Sequence, residues 1–332
     1  MNRKVTQCLL ALGLLTGLAP GAAAAERITL MVGGIEKIIY LPVKLAEQLG
    51  YFASEGLDLE LRSEWSGVHG VDVLLVGTVQ GVVGFYDHTI YMQSKGKAVQ
   101  AVIQFAQAPG EVELVATGLG QVRSLAELKG RTLGVTGLGS STQFLSRYLA
   151  LNAGLKLNQV NFLPVGTGNT FIDAMNHGVI QAGMTTEPTA SRLLNSGRAR
   201  VLVDLRTPED SQRVLGGLYP SACLYMQTSW VSRHKPEVQK LVNALVKALR
   251  FIQTHTASEI AAKMPPSFFE GDRATYVKAL NRSKGIFLPD GRMPESGPAN
   301  VLRVLNRTEK SLQGKTIDLA STYTLEFVNA VR

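Results

Sequence analysis

One stretch of this 332-residue chain has residue types suited to holding a small ligand: Gly137-Leu138-Gly139-Ser140-Ser141-Thr142. The glycines free the backbone to turn sharply. The hydroxyls of Ser140, Ser141 and Thr142, with the first free amides of a following helix, would then point at one spot. Such a helix start is a ready site for a carboxylate, sulfonate or phosphate. The same hydroxyls also serve as helix caps, and one helix can use them for both. The segment is no nucleotide phosphate loop, because no Gly-Lys-Ser/Thr follows it.

Other candidates stand at the ends of apolar runs. Gly33-Gly34-Ile35-Glu36-Lys37-Ile38-Ile39-Tyr40 offers Lys37 as countercharge to an anion and Tyr40 as an aromatic wall. Trp65 either stacks on a ligand or packs. Tyr86-Asp87-His88 places an acid beside an imidazole, which could bond a polar ligand or respond to pH, or simply form a turn and a cap. Asn169 lies in the glycine-rich segment 166–170, and Glu187 follows Met184-Thr185-Thr186. Glu187 could accept a bond from ligand or form a salt bridge across the molecule. Catalytic constellations are missing from the sequence: there is no Gly-x-Ser-x-Gly, no His-Glu-x-x-His and no spaced Cys/His cluster, so no metal or cofactor is expected.

These segments matter only if elements bring them together. Arg27–Val32, Leu57–Leu61, Val82–Phe85 and Val99–Phe105 read as strands, with a helix from Pro42 to Leu49 between the first two. The pattern then restarts. Strands are expected at Thr132–Thr136, Asn161–Val165, Ala182–Thr185 and Val201–Leu205, with helices at Ser124–Leu128, Thr142–Asn152 and Thr170–His177. Strands alternating with helices predict parallel sheets with helices on their faces, in two α/β units. Ligands bind beyond the carboxyl ends of strands in such sheets, where the candidates stand. From Lys235 the chain reads as mainly helical, with one apolar face over Val238–Gln253.

Composition narrows the partners. Lys and Arg number 34 against 26 Asp and Glu, giving a formal charge of +8. The basic residues are scattered, without the basic stripe that nucleic acid requires. The start, Met1-Asn2-Arg3-Lys4, then an apolar stretch, then Ala22–Ala25, reads as a secretory signal peptide over 1–25, cut after Ala25. Its apolar part is shorter than the ~20 residues a membrane span needs. Cys8 would leave with the signal, so Cys223 would be the only thiol of the exported chain.

Two further segments carry a family likeness. Gly50-Tyr51-Phe52-Ala53-Ser54-Glu55-Gly56-Leu57-Asp58 and Ser124-Leu125-Ala126-Glu127-Leu128-Lys129-Gly130-Arg131-Thr132-Leu133-Gly134-Val135, with Gly139–Thr142 and Glu187-Pro188, resemble the nitrate/sulfonate/taurine class of ABC-transporter substrate-binding proteins. The resemblance implies the type II periplasmic binding protein fold: two α/β lobes joined by a two-strand hinge. One lobe would comprise 26–110 plus 221–332, the other 111–220, with the crossings near 108–117 and 219–228. It implies a monomer in the periplasm that captures a sulfonate, nitrate, carboxylate or pyrimidine-class solute, anionic or heteroaromatic, and hands it to a membrane permease with a cytoplasmic ATPase. Lys37, Tyr40, Trp65, Tyr86, Asp87, His88, Ser140, Ser141, Thr142, Asn169 and Glu187 would line the interlobe cleft. Tyr86-Asp87-His88 departs from the small residues common in sulfonate binders, which favours a larger ligand with hydrogen-bond donors. The alternatives are a periplasmic sensor and an enzyme like the thiamine-pyrimidine synthases.

Overall fold

In a computed structural model, residues 27–269 and 271–331 are described; the expected signal peptide lies outside them. Ten strands form two five-stranded sheets. The first has the order β2-β1-β3-β10-β4, with β1 Ile28–Val32, β2 Leu59–Ser63, β3 Gly81–Phe85, β4 Val99–Gln104 and β10 Ala222–Gln227. The second has the order β7-β6-β8-β5-β9, with β5 Glu111–Ala116, β6 Thr132–Val135, β7 Asn161–Pro164, β8 Ala182–Thr186 and β9 Ala199–Leu205.

The sheets are mixed rather than parallel. β10 runs antiparallel between β3 and β4, and β5 runs antiparallel between β8 and β9. These two strands occupy the stretches expected to form the hinge. The chain therefore crosses between sheets earlier than expected, from Gln104 to Glu111 and from Leu205 to Ala222. The two crossings pair with each other: Ser221 N donates to Ala106 O at 3.0 Å, and Gly110 N to Leu205 O at 3.0 Å.

Local chemistry sets the elements that frame the site. Pro42 sits in the first turn of the helix Leu41–Gln48, where its missing N–H costs nothing. That helix packs on the 20-residue helix Lys235–Thr254, which buries Leu241, Val242, Leu245, Leu249 and Ile252 along one stripe. Helix Gly297–Thr308, from the chain's tail, lies against both Asp87–Ser94 and Ser141–Asn152, helices that follow strands of different sheets. Arg303 Nη1 donates to Tyr148 Oη at 2.9 Å, and Arg147 Nη1 meets Glu309 Oε1 at 2.7 Å. The tail thus braces the two units.

Two glycine positions are dictated by close backbone approach. A Cβ on Gly33, after β1, would stand 2.6 Å from the amide nitrogen of Gly67, which opens the helix Gly67–Leu75. A Cβ on Gly183 of β8 would stand 2.5 Å from the carbonyl oxygen of Gly134 in β6. Only glycine lets these segments touch.

Candidate functional site

The carboxyl ends of β1, β3, β6 and β8 converge between the sheets. A pocket of about 10 Å³ is walled on one side by Lys37, Tyr40, Ser66, Gly67, Phe85 and His88, and on the other by Glu111, Thr136, Ser140, Ser141, Thr142 and Thr186. Outward of it lies a cavity of about 360 Å³, lined by Lys37, Trp65, Thr167, Asn169, Pro188 and Thr189 among others. Lys37 borders both spaces. The larger volume lies within the ordinary range for small-molecule sites, about 300–1,000 Å³. The smaller holds about one water.

Ser140, Ser141 and Thr142 stand where the sequence places them, but they divide the work. Ser140 caps the helix Ser141–Asn152, its Oγ accepting from Gln143 N at 3.4 Å and donating to Gly137 O at 2.6 Å. Thr142 Oγ1 accepts from Thr136 N at 3.0 Å and lies 2.7 Å from Ser140 Oγ. Both hydroxyls are spent on holding the turn. Ser141 alone reaches across the cleft, donating its Oγ proton to Asp87 Oδ1 at 2.9 Å.

Asp87 is fully buried, and Oδ2 accepts from the Tyr219 hydroxyl at 3.0 Å. Burial raises its pKa, against the opposing pull of His88 and of the hydroxyls of Ser141 and Tyr219. His88 Nδ1 lies 3.3 Å from both Asp87 Oδ1 and the Phe85 carbonyl oxygen. Two acceptors at Nδ1 assign the proton to that nitrogen, so in the neutral ring Nε2 is an acceptor. Nε2 is buried and has no hydrogen-bond partner.

Three expected site residues have other duties. Tyr86 lines neither space; its hydroxyl lies 2.5 Å from Thr322 Oγ1 and its ring meets Tyr323 edge-on. Tyr86 lies past the end of β3 with helical backbone, at the cap of the helix Asp87–Ser94, and there its ring packs toward Tyr323 rather than the cleft. Glu187 is 1% exposed, but Oε1 accepts from Arg206 Nη1 at 2.7 Å and Oε2 from Ser191 N at 2.9 Å. That salt bridge lies within the second unit; across the cleft only the Glu187 carbonyl acts, accepting from Ile38 N at 3.0 Å. Asn169 borders the outer cavity, with Oδ1 accepting from Arg192 Nη2 at 2.8 Å. Trp65 is 68% exposed at the outer rim.

Lys37 is buried, and Nζ donates to the carbonyl oxygens of Gly33 at 2.6 Å and Trp65 at 3.3 Å. Burial lowers its pKa to about 8, with Glu111 and Glu36 pulling the other way. Glu111 is the residue that sequence reasoning missed. It is 1% exposed and its Oε2 has no partner. Burial, reinforced by Asp87 and offset by Lys37, holds its pKa well above the carboxylate range. It sits directly opposite Thr186 in the β5–β8 register, and the Thr186 hydroxyl also lacks a partner. Ser66 Oγ, on the facing wall, completes a set of four unpartnered buried polar atoms on this one pocket.

A family model described as "NMT1/THI5 like" matches residues 39–258. The chain is 23% identical over 258 residues to YtlA of Bacillus subtilis (strain 168), named only as a binding protein, covering 74% of this chain and 72% of that one. It is 24% identical over 161 residues to a 4-amino-5-hydroxymethyl-2-methylpyrimidine phosphate synthase of Legionella pneumophila (strain Philadelphia 1), covering 48% of this chain and 49% of that enzyme. A solved structure from Bordetella bronchiseptica RB50 superposes with a TM-score of 0.88 at 34% identity, over 91% of this chain and 96% of that chain. The alkanesulfonate-binding protein SsuA of Xanthomonas axonopodis pv. citri, bound to MOPS, superposes with a TM-score of 0.68 at 18% identity, over 91% of this chain and 99% of that chain. The architecture is that of the periplasmic binding proteins.

Proposed function

The chain belongs to the NMT1/THI5-like family, and from that premise we propose that it is the periplasmic solute-binding component of an ABC importer. It captures one small organic solute between lobes formed by 26–110 plus 221–332 and by 111–220, and delivers it to a membrane permease driven by a cytoplasmic ATPase. The observation that carries this reading is the two-sided pocket. Its unpartnered polar atoms come from both sheets, Ser66 and His88 from one side, Glu111 and Thr186 from the other. A solute bonded to both walls stabilises the arrangement in which the walls face each other, and that differential affinity is what a permease reads.

Binding accounts for the site better than catalysis. Cys223, the one cysteine among the described residues, is buried, and burial holds its thiol well above the ordinary range. A nucleophile needs the opposite. The signal peptide, periplasmic location and monomeric state belong to the same proposal.

The test is small-angle scattering with a thermal-shift screen of refolded protein against sulfonates, nitrate, bicarbonate, aromatic carboxylates and pyrimidines. A true ligand at 100 times its Kd stabilises by about 2.7 kcal/mol and lowers the radius of gyration. A panel in which tight binders leave the radius unchanged refutes capture by lobe closure.

A further inference from the structure

The four unpartnered atoms of the inner pocket, Ser66 Oγ and His88 Nε2 on one wall and Glu111 Oε2 and Thr186 Oγ1 on the other, are short of protons. The two hydroxyls bring one proton each, and Nε2 of a neutral imidazole protonated on Nδ1 only accepts. An ionised Glu111 would add a further acceptor and no donor. With its acid proton in place, Glu111 becomes the third donor of the set. One bond from it to His88 Nε2 or to a hydroxyl oxygen, direct or through the single water that the pocket can hold, satisfies two buried atoms together. Lys37 does not remove the need, because it gives two of its three protons to the carbonyls of Gly33 and Trp65. Asp87 is better supplied, since its two oxygens accept from Ser141 and Tyr219.

We propose that the two walls close on a proton: Glu111 takes one up as the cleft shuts, so that closure of the solute-free protein is favoured by acid and reversed by alkali. The inference rests on the capture reading above and adds a pH dependence to its closing step. The pocket around Glu111 is walled by both units, so parting them wets the carboxyl and returns it toward its ordinary value of 4.5. Bringing them together raises it, through burial first and then through Asp87. The closed form therefore binds more protons than the open one. Its advantage is complete below about pH 4.5 and is lost as pH rises through the raised value. Across that interval each pH unit lowers the closed-to-open ratio by up to about tenfold.

Other titrating groups face the same carboxyl. Lys37, Tyr40 and His88 share its pocket, Asp87 and Tyr219 act on it from behind the pocket, and Glu113 lies two residues along β5. Burial pushes Tyr40 and Tyr219 upward, away from neutral pH. Lys37, brought down to about 8, weakens its pull on Glu111 only at the alkaline end. Glu113, raised to about 8, is buried within the second unit beneath the helix Ser141–Asn152, so its own titration is common to open and closed forms.

The experiment is small-angle scattering of the refolded, solute-free mature chain between about pH 5 and 7.5 at fixed ionic strength, below the range in which Lys37 titrates. It is read on wild type, Ser141→Ala, Glu113→Gln and Glu111→Gln. The wild-type radius of gyration should grow as pH rises. Ser141→Ala, which lacks the bond to Asp87 across the cleft, should grow at lower pH. Glu113→Gln should keep the response, moved slightly toward acid because Glu113 helps to raise Glu111. Glu111→Gln should stay compact throughout. Infrared difference spectra in the Glu113→Gln background add a direct readout: a protonated-carboxyl band should fade as the radius grows and be absent from the double variant. If Glu111→Gln fails to fold, that fading band and the Ser141→Ala displacement carry the test. A radius that ignores pH in both wild type and Ser141→Ala overturns the proposal, and leaves capture intact if a solute of the panel above still compacts the protein. A pH response that survives in Glu111→Gln also overturns it, since the proton would then sit on Asp87 or His88. If neither pH nor any solute changes the radius, capture by closure fails and takes this inference with it.

Discussion

Glu113 offers a sharp test of how the second unit is built. It lies on β5, two residues from Glu111, fully buried beneath the helix Ser141–Asn152. Ser146 Oγ donates to its Oε2 at 2.6 Å, and Oε1 has no partner. Burial raises its pKa from 4.5 to about 8, with the Ser146 bond opposing. A raised acid holds its proton longer in the folded than in the unfolded chain. Its contribution to stability is therefore complete below pH 4.5 and is lost as pH rises through about 8. At about 1.36 kcal/mol per pH unit, the interval sets a ceiling of roughly 5 kcal/mol. Glu113→Gln removes the titration and keeps an oxygen for Ser146, at the expense of one unpartnered amide worth about 1 kcal/mol at any pH. Urea unfolding of both proteins between pH 5 and 9 should show curves that cross. The variant should be slightly the weaker at pH 5 and a few kcal/mol the stronger at pH 9. Other titrating groups cancel in the difference except Glu111, whose pKa Glu113 raises; that coupling acts in the same direction. A difference constant within about 0.5 kcal/mol across the range would refute the placement of an acid that is neutral at pH 7 under this helix.

Ser141→Ala removes the bond to Asp87 that spans the cleft. Ligand affinity should fall about 5- to 30-fold, and scattering should show a more open average shape; an unchanged Kd would mean this bond does not hold the lobes. Arg206→Met strands Glu187, at 1% exposure, and frees Asp204. Loss of about 3–5 kcal/mol in denaturant unfolding is expected, and a loss under 1 kcal/mol would show the pair to be replaceable. Gly183→Ala drives a Cβ into the Gly134 carbonyl, while Gly50→Ala, at φ +70° with open space around it, meets only backbone strain. The first should lower the melting temperature by much more than the second, and parity would refute the close β6–β8 approach.

Much of this architecture was legible because buried strands and capped helices leave periodic marks. β1, β3, β4 and β6 through β9 fall within a residue or two of expectation, and so do the helices at Leu41, Ser141 and Asn169. β5 escaped because its alternation, Glu111-Val112-Glu113-Leu114, puts acids on one face. Such a face ordinarily meets water, yet here both faces are buried. β10 escaped because Ala222–Gln227 follows a crossing whose partners lie more than a hundred residues away. The site was half legible for a related reason. Sequence marks where hydroxyls gather, as at Ser140 and Thr142, but not whether they spend their bonds on each other. Nor does it reveal that Arg206 closes on Glu187, since a register between β8, β5 and β9 sets that meeting.

The distinction between spent and unspent polar atoms also bears on what a solute would do to the balance between the two units. In this arrangement Asp87 and Glu111 are buried, and burial raises the pKa of both, which is the signature of an environment hostile to their charge. Lys37 pulls the Glu111 pKa down, but its own pKa is lowered by the same burial. The Ser141–Asp87 bond and the rim pair Arg147–Glu309 act for closure, each worth only about 1 kcal/mol net once desolvation is counted. They do not act alone, because Ile38 N reaches the Glu187 carbonyl and Arg303 reaches Tyr148, so the balance turns on how the two buried acids are satisfied. If a solute supplies that compensation, the residues that select it are also those that make closure depend on it. Specificity and signalling to the permease would then be one free-energy difference rather than two. Glu111→Gln should accordingly loosen both together, giving a protein that is more compact without solute and less responsive when solute is added.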